Sequence, residues 1–102
     1  MPAHALTPGV SLNRGEAEQL ASLLRVVSDP TRLQLLSMII ASPDGEACVT
    51  DLHVPLGLTQ PTVSHHLRLL VEAGLLSRER RGKQVWFSIV RDRLAAISDI
   101  LR

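Results

Sequence analysis

The chain has 102 residues, a formal net charge of +1 and 45% hydrophobic residues, which suits one domain with a single modest core. Trp86 and Phe87 are its only tryptophan and phenylalanine and there is no tyrosine, so the core must be aliphatic, and no apolar run approaches the ~20 residues of a membrane span. The start lacks the basic and apolar stretches of a signal peptide, the lone Cys48 excludes an intramolecular disulfide and fits a reducing cytoplasm, and no nucleophile–base or acid pair has a catalytic spacing, so an enzyme is not expected.

Residues 1–12 hold two prolines, a glycine and no periodicity, and read as a flexible N-terminal tail. Residues 13–102 read as one folded domain. A first helix is predicted from about Arg14 to Ser28: Asn13 with Glu16 resembles a capping box, and Leu20, Leu23, Leu24 and Val27 form an apolar stripe. Asp29-Pro30 supplies a second N-cap and a proline for the first turn. That second helix, about Pro30 to Ala41, is expected to bury Leu33, Leu36 and Ile40 or their neighbours before Ser42-Pro43-Asp44-Gly45 ends it. A short extended piece at Glu46–Val49 and a brief helix at about Asp51 to Leu56 follow, the latter with an awkward Pro55.

Gly57 turns the chain into Thr59-Gln60-Pro61-Thr62-Val63-Ser64-His65-His66-Leu67-Arg68-Leu69-Leu70. Thr59 can cap this helix and Pro61 falls in its first turn. Val63, Leu67 and Leu70 recur as a buried stripe. The opposite edge carries Gln60, Thr62, Ser64, His65 and Arg68, short donors and acceptors where a solvated face would carry lysine and glutamate. That chemistry suits base edges in a major groove: glutamine can bond adenine bidentately, Thr62 and Ser64 a base or phosphate, His65 either, and Arg68 phosphate. His65 and His66 point about 100° apart on a helix and cannot chelate one ion together.

The helix should stop at Ala73, with Gly74 left-handed behind it. The period then becomes strand-like: Leu76–Arg80 and Val85–Ile89 flank a hairpin loop at Arg81-Gly82-Lys83-Gln84. A last helix, about Arg91 to Leu101, carries Leu94, Ile97 and Leu101 on one face. The order describes a mainly α fold with a small β-hairpin, a winged helix-turn-helix. Residues 1–59 hold three arginines against six carboxylates, whereas residues 60–83 hold five cations against two. The positive block therefore coincides with the candidate reading helix and the hairpin, whose Arg78, Arg80, Arg81 and Lys83 suit phosphate contact. The apolar surplus at Leu23, Leu24, Val26, Val27, Ile97, Ile100 and Leu101 predicts a homodimer joined through the first and last helices, fitting a palindromic DNA site. A winged-helix module used only for dimerisation or protein docking is the alternative, and the polar edge of the reading helix argues against it.

Ser28-Asp29-Pro30-Thr31-Arg32-Leu33-Gln34-Leu35-Leu36, then Glu46-Ala47-Cys48-Val49-Thr50-Asp51-Leu52, then Leu56 to Leu67 and the hairpin Arg81 to Phe87 strongly resemble the ArsR/SmtB family, over about Glu18 to Ile89. The resemblance implies a dimeric winged-helix repressor that leaves its operator DNA when an inducer, often a metal ion, binds. Arsenic-sensing members carry Cys-Val-Cys-Asp where this chain has Cys48-Val49-Thr50-Asp51, so a trithiolate site cannot form within one chain. Cys48 and Asp51 match instead the Cys-Val-x-Asp arrangement of sensors for zinc and related ions, and a thiolate with a carboxylate suits such an ion. The tail ligand of those relatives would here be His4. The structural alternative is a buried Cys48 acting as a small hydrophobe and Asp51 capping the short helix.

Overall fold

The computed structural model describes residues 11–100. The tail expected at 1–12, His4 included, lies largely outside them, as does Leu101.

Helix α1 (Arg14–Val27) opens on the expected capping box, in which Asn13 Oδ1 accepts the Glu16 N–H at 2.8 Å and Glu16 Oε1 accepts the Asn13 N–H at 3.0 Å. Helix α2 (Pro30–Ala41) opens on Asp29, whose carboxylate accepts the Arg32 N–H at 3.0 Å. That hydrogen bond holds the Asp29 carboxyl below its ordinary range, because it favours the charged form. A one-turn 3-10 helix (Pro43–Gly45) leads into β1 (Glu46–Cys48), α3 (Val49–Leu56) and α4 (Gln60–Glu72). The hairpin β2 (Leu76–Arg81) and β3 (Gln84–Ile89) and helix α5 (Arg91–Ile100) complete the order. The fold is a winged helix-turn-helix.

β3 is the central strand of a three-stranded antiparallel sheet ordered β1-β3-β2, with Ala47 opposite Phe87 and Arg78 opposite Phe87 on the other side. The sheet's inner face, carrying Ala47, Leu76 and Phe87, joins Leu52, Val63, Leu67, Leu70 and Leu75 in one aliphatic core. Gly82 at φ 62° makes the hairpin loop two residues long rather than the expected four, since glycine at the first central position permits a tight turn that matches strand twist.

Helices α2 and α3 also depart from expectation. In α2 the buried residues are Leu35, Leu36 and Ile39, whereas Leu33 and Ile40 are 50% and 54% exposed. The stretch Leu33-Gln34-Leu35-Leu36-Ser37-Met38-Ile39-Ile40 is apolar nearly all round, so its period does not choose a face. The short helix begins at Val49, two residues before Asp51, because the Asp51 carboxylate accepts the Cys48 N–H from the third helical position at 3.1 Å. Pro55 is tolerated as the penultimate residue of that helix, where little helix remains to be broken.

A candidate nucleic-acid interface

The helix-turn-helix is formed by α3, a turn at Gly57 to Thr59, and α4. Gly57 takes the left-handed conformation, φ 69° and ψ 24°, which ends α3 and redirects the chain. Thr59 then caps α4, its hydroxyl accepting the Thr62 N–H at 3.3 Å. With Val63, Leu67 and Leu70 fully buried, the rotation of α4 about its axis is fixed. Gln60, Thr62, Ser64, His65 and Arg68 are consequently all exposed.

These side chains are held to different degrees. The Thr62 hydroxyl lies 3.0 Å from that of Thr59. The Arg68 guanidinium sits 3.2 Å from His65 Nδ1 and reaches Glu72 loosely at 4.0 Å, so Arg68 and His65 act as a pair. The Gln60 amide nitrogen lies 3.4 Å from His53 Nε2 of α3. His66 is half-buried, with Nδ1 facing the Arg32 guanidinium at 3.2 Å. Arg32 also donates to the Val26 carbonyl, tying the end of α1 to α4 through one half-buried cation. Sequence reading missed both His53 and Arg32, since neither contact lies within one element.

The hairpin sorts its cations by strand alternation. Arg78 and Arg80 share the inner face with Leu76 and stand opposite Phe87 and Val85. Arg78 borders a cleft of about 390 Å³ between α4 and the sheet, with Ser64 and Arg68 on the facing wall and Val49, Val71, Val85 and Phe87 beneath. Lys83 is exposed at the tip. Arg81, grouped with the phosphate contacts by sequence, points to the other face. There it bonds Glu46 at 2.8 Å and Glu79 at 2.6 Å and lies 5.3 Å from the Trp86 ring. The two carboxylates hold its guanidinium more firmly charged, and its hydrogen bond to Glu46 in turn keeps that carboxyl below its ordinary range. Arg81 fastens the sheet.

The residues expected to hold a metal ion do not fit one as they stand. Cys48 is buried, its thiol 3.6 Å from Gln84 Oε1. Burial first, and the Asp51 charge second, push that thiol's pKa up, which opposes the thiolate a metal requires. The Asp51 carboxylate is engaged by the Cys48 N–H. Among the described residues, no three or more of His, Cys, Asp and Glu are placed to share an ion. His4 lies outside them. Also among the described residues, no helix is long and apolar enough to cross a membrane.

Residues 29–78, from the cap of α2 to the first half of the wing, match the model of the bacterial regulatory protein family arsR. The transcriptional regulator NmtR of Mycobacterium tuberculosis is 34% identical over 92 residues, covering 90% of this chain and 74% of that one. This chain belongs to the arsR family. The arsenical resistance operon repressor of Staphylococcus aureus is 31% identical over 85 residues, 83% of this chain and 76% of its own. Among solved structures, the antimony-specific transcriptional repressor AntR superposes with a TM-score of 0.74 at 28% identity, over 96% of this chain and 90% of its own. The arsR-family match spans the whole helix-turn-helix, and the polar edge of α4 lies within it.

Proposed function

We propose that this arsR-family protein is a homodimeric, cytoplasmic transcriptional repressor that binds a palindromic operator. Gln60, Thr62, Ser64 and His65 read bases, and Arg68, Arg78, Arg80 and Lys83 hold phosphate. One observation carries the reading: Ser64 and Arg68 of α4 and Arg78 of the wing border a single cleft, so part of the hydrogen-bonding edge shares one surface with an inner-face cation of the wing. A helix lying in a major groove would bring that wing against the adjacent backbone. Homodimerisation is supported by Leu24 on α1, a large apolar residue 38% exposed, beside the half-buried Val27. The test is a selection from random duplexes: enrichment of one sequence with two related half-sites is expected, and no enrichment would overturn the proposal.

For release from DNA, relatives named as arsenical or antimony repressors suggest a metal or metalloid inducer. In this chain a thiophilic ion such as zinc acting at Cys48 would need the thiol deprotonated, the Asp51 carboxylate freed from its cap, and a further donor, for which His4 is the candidate. Stoichiometric zinc or arsenite is therefore expected to leave the protein–DNA complex intact in a gel-shift titration, and Cys48→Ser to change DNA affinity less than about twofold, as for a residue with only a packing role. Release by zinc that Cys48→Ser abolishes would reverse this and restore the metal site.

A further inference from the structure

Gln60, the first residue of the reading helix, is oriented by a side chain from the helix before it. His53 of α3 is itself fixed: its Nδ1 lies 3.1 Å from the carbonyl oxygen of Leu58. A carbonyl can only accept, so Nδ1 carries the proton, and in the neutral ring Nε2 is then a bare acceptor. The group 3.4 Å from that Nε2 is the Gln60 amide nitrogen. An N–H is attracted there, whereas an amide oxygen would set lone pair against lone pair. The contact spans the Gly57 turn, from the half-buried His53 to the exposed Gln60.

Amide geometry gives this contact a consequence for recognition. A primary amide nitrogen carries two protons, and the one directed away from its own oxygen can go to His53. The other proton and the oxygen then lie side by side on the outward edge. That donor–acceptor pair matches N7 and the N6 amino group of adenine. A glutamine without such a neighbour would have to lose the freedom of its terminal torsions on binding, at a cost in affinity and selectivity. We infer that His53 is a positioning residue that presets the Gln60 amide for adenine. The inference rests on α4 being the DNA-reading helix, and His53 makes no base contact itself.

The experiment is selection from random duplexes with the full chain and four variants, with melting temperatures measured alongside. Gln60→Ala identifies the base position that Gln60 reads, expected to be adenine once in each half-site. His53→Phe keeps bulk but removes both ring nitrogens. It should lower the adenine preference at that position about tenfold, the lower range for one bidentate contact, and leave the other positions unchanged. His53→Ala removes the same nitrogens without added bulk and should act alike, which covers a failure of the phenylalanine variant to fold. His53→Gln, which offers an amide oxygen as acceptor, should retain the preference. Undiminished adenine preference in His53→Phe and His53→Ala would overturn the inference, as would equal loss at every position, the mark of a merely loosened turn. No enrichment by the unaltered chain would instead overturn the DNA-reading role of α4, and the inference with it.

Discussion

Replacing Arg78 and Lys83 together by alanine is expected to weaken DNA binding on the order of a hundredfold at ~0.15 M salt and to flatten its salt dependence. Each cation that neutralises a phosphate releases a counterion, so each lost contact lowers the slope of log affinity against log salt by about 0.9. Two cations per protomer become four in a dimer. Arg78 stands on the inner face beside α4 and Lys83 at the exposed tip, and no described side chain pairs with either. Arg81→Ala provides the contrast. Its guanidinium is engaged by Glu46 and Glu79 on the opposite face, so its loss should leave the slope unchanged. Binding isotherms at several salt concentrations check both expectations. A slope unaltered by the double substitution, or flattened as much by Arg81→Ala, would contradict the division of the wing into two faces.

Leu67→Ala should have the largest effect on the fold. Leu67 is fully buried midway along α4, in the cluster that also holds Val63, Leu70 and Phe87. Deleting a buried leucine side chain removes its transfer free energy and leaves a cavity, together about 3 kcal/mol. For a domain of this size that lowers the melting temperature by roughly 12–24 °C, and it is a large share of a typical total stability of about 5–15 kcal/mol. Denaturation at fixed protein concentration checks it, since dimerisation makes stability concentration-dependent. Leu33→Ala, at a position 50% exposed, should cost far less. Comparable losses for the two would mean that α2 and α4 do not pack as described.

The contrast between those leucines shows what was legible in the chain. In α4 the polar residues are as regularly spaced as the apolar ones, so cap, buried stripe and exposed edge were all readable, and the structure keeps each of them. In α2 six of the eight residues from Leu33 to Ile40 are apolar, and the packing against α4 and β3 selects Leu35, Leu36 and Ile39. The wing shows the same limit in its charges. Strand alternation alone separates Arg78 and Arg80 from Glu79 and Arg81, but the partner that engages Arg81 is Glu46, 35 residues away on β1. Cys48 and Asp51 allowed two readings in sequence. The helix start decides what Asp51 does in the fold: its carboxylate caps α3 from inside the first turn. His53 went unassigned because its meeting with Gln60 depends on the angle set at Gly57, which no local pattern encodes.

Sequence discrimination by the exposed edge of α4 is tested most directly by one ratio. It is the affinity for the duplex enriched in selection divided by that for a scrambled duplex of the same length, measured for the unaltered chain and for Gln60→Ala. Gln60 projects from the first turn of α4, the part of a reading helix that meets base edges. The ratio should fall by roughly 5–150-fold in Gln60→Ala, the worth of about 1–3 kcal/mol for one bidentate base contact, with the affinity for the scrambled duplex unchanged. An equal loss on both duplexes, or an unchanged ratio, would contradict a reading role for this edge.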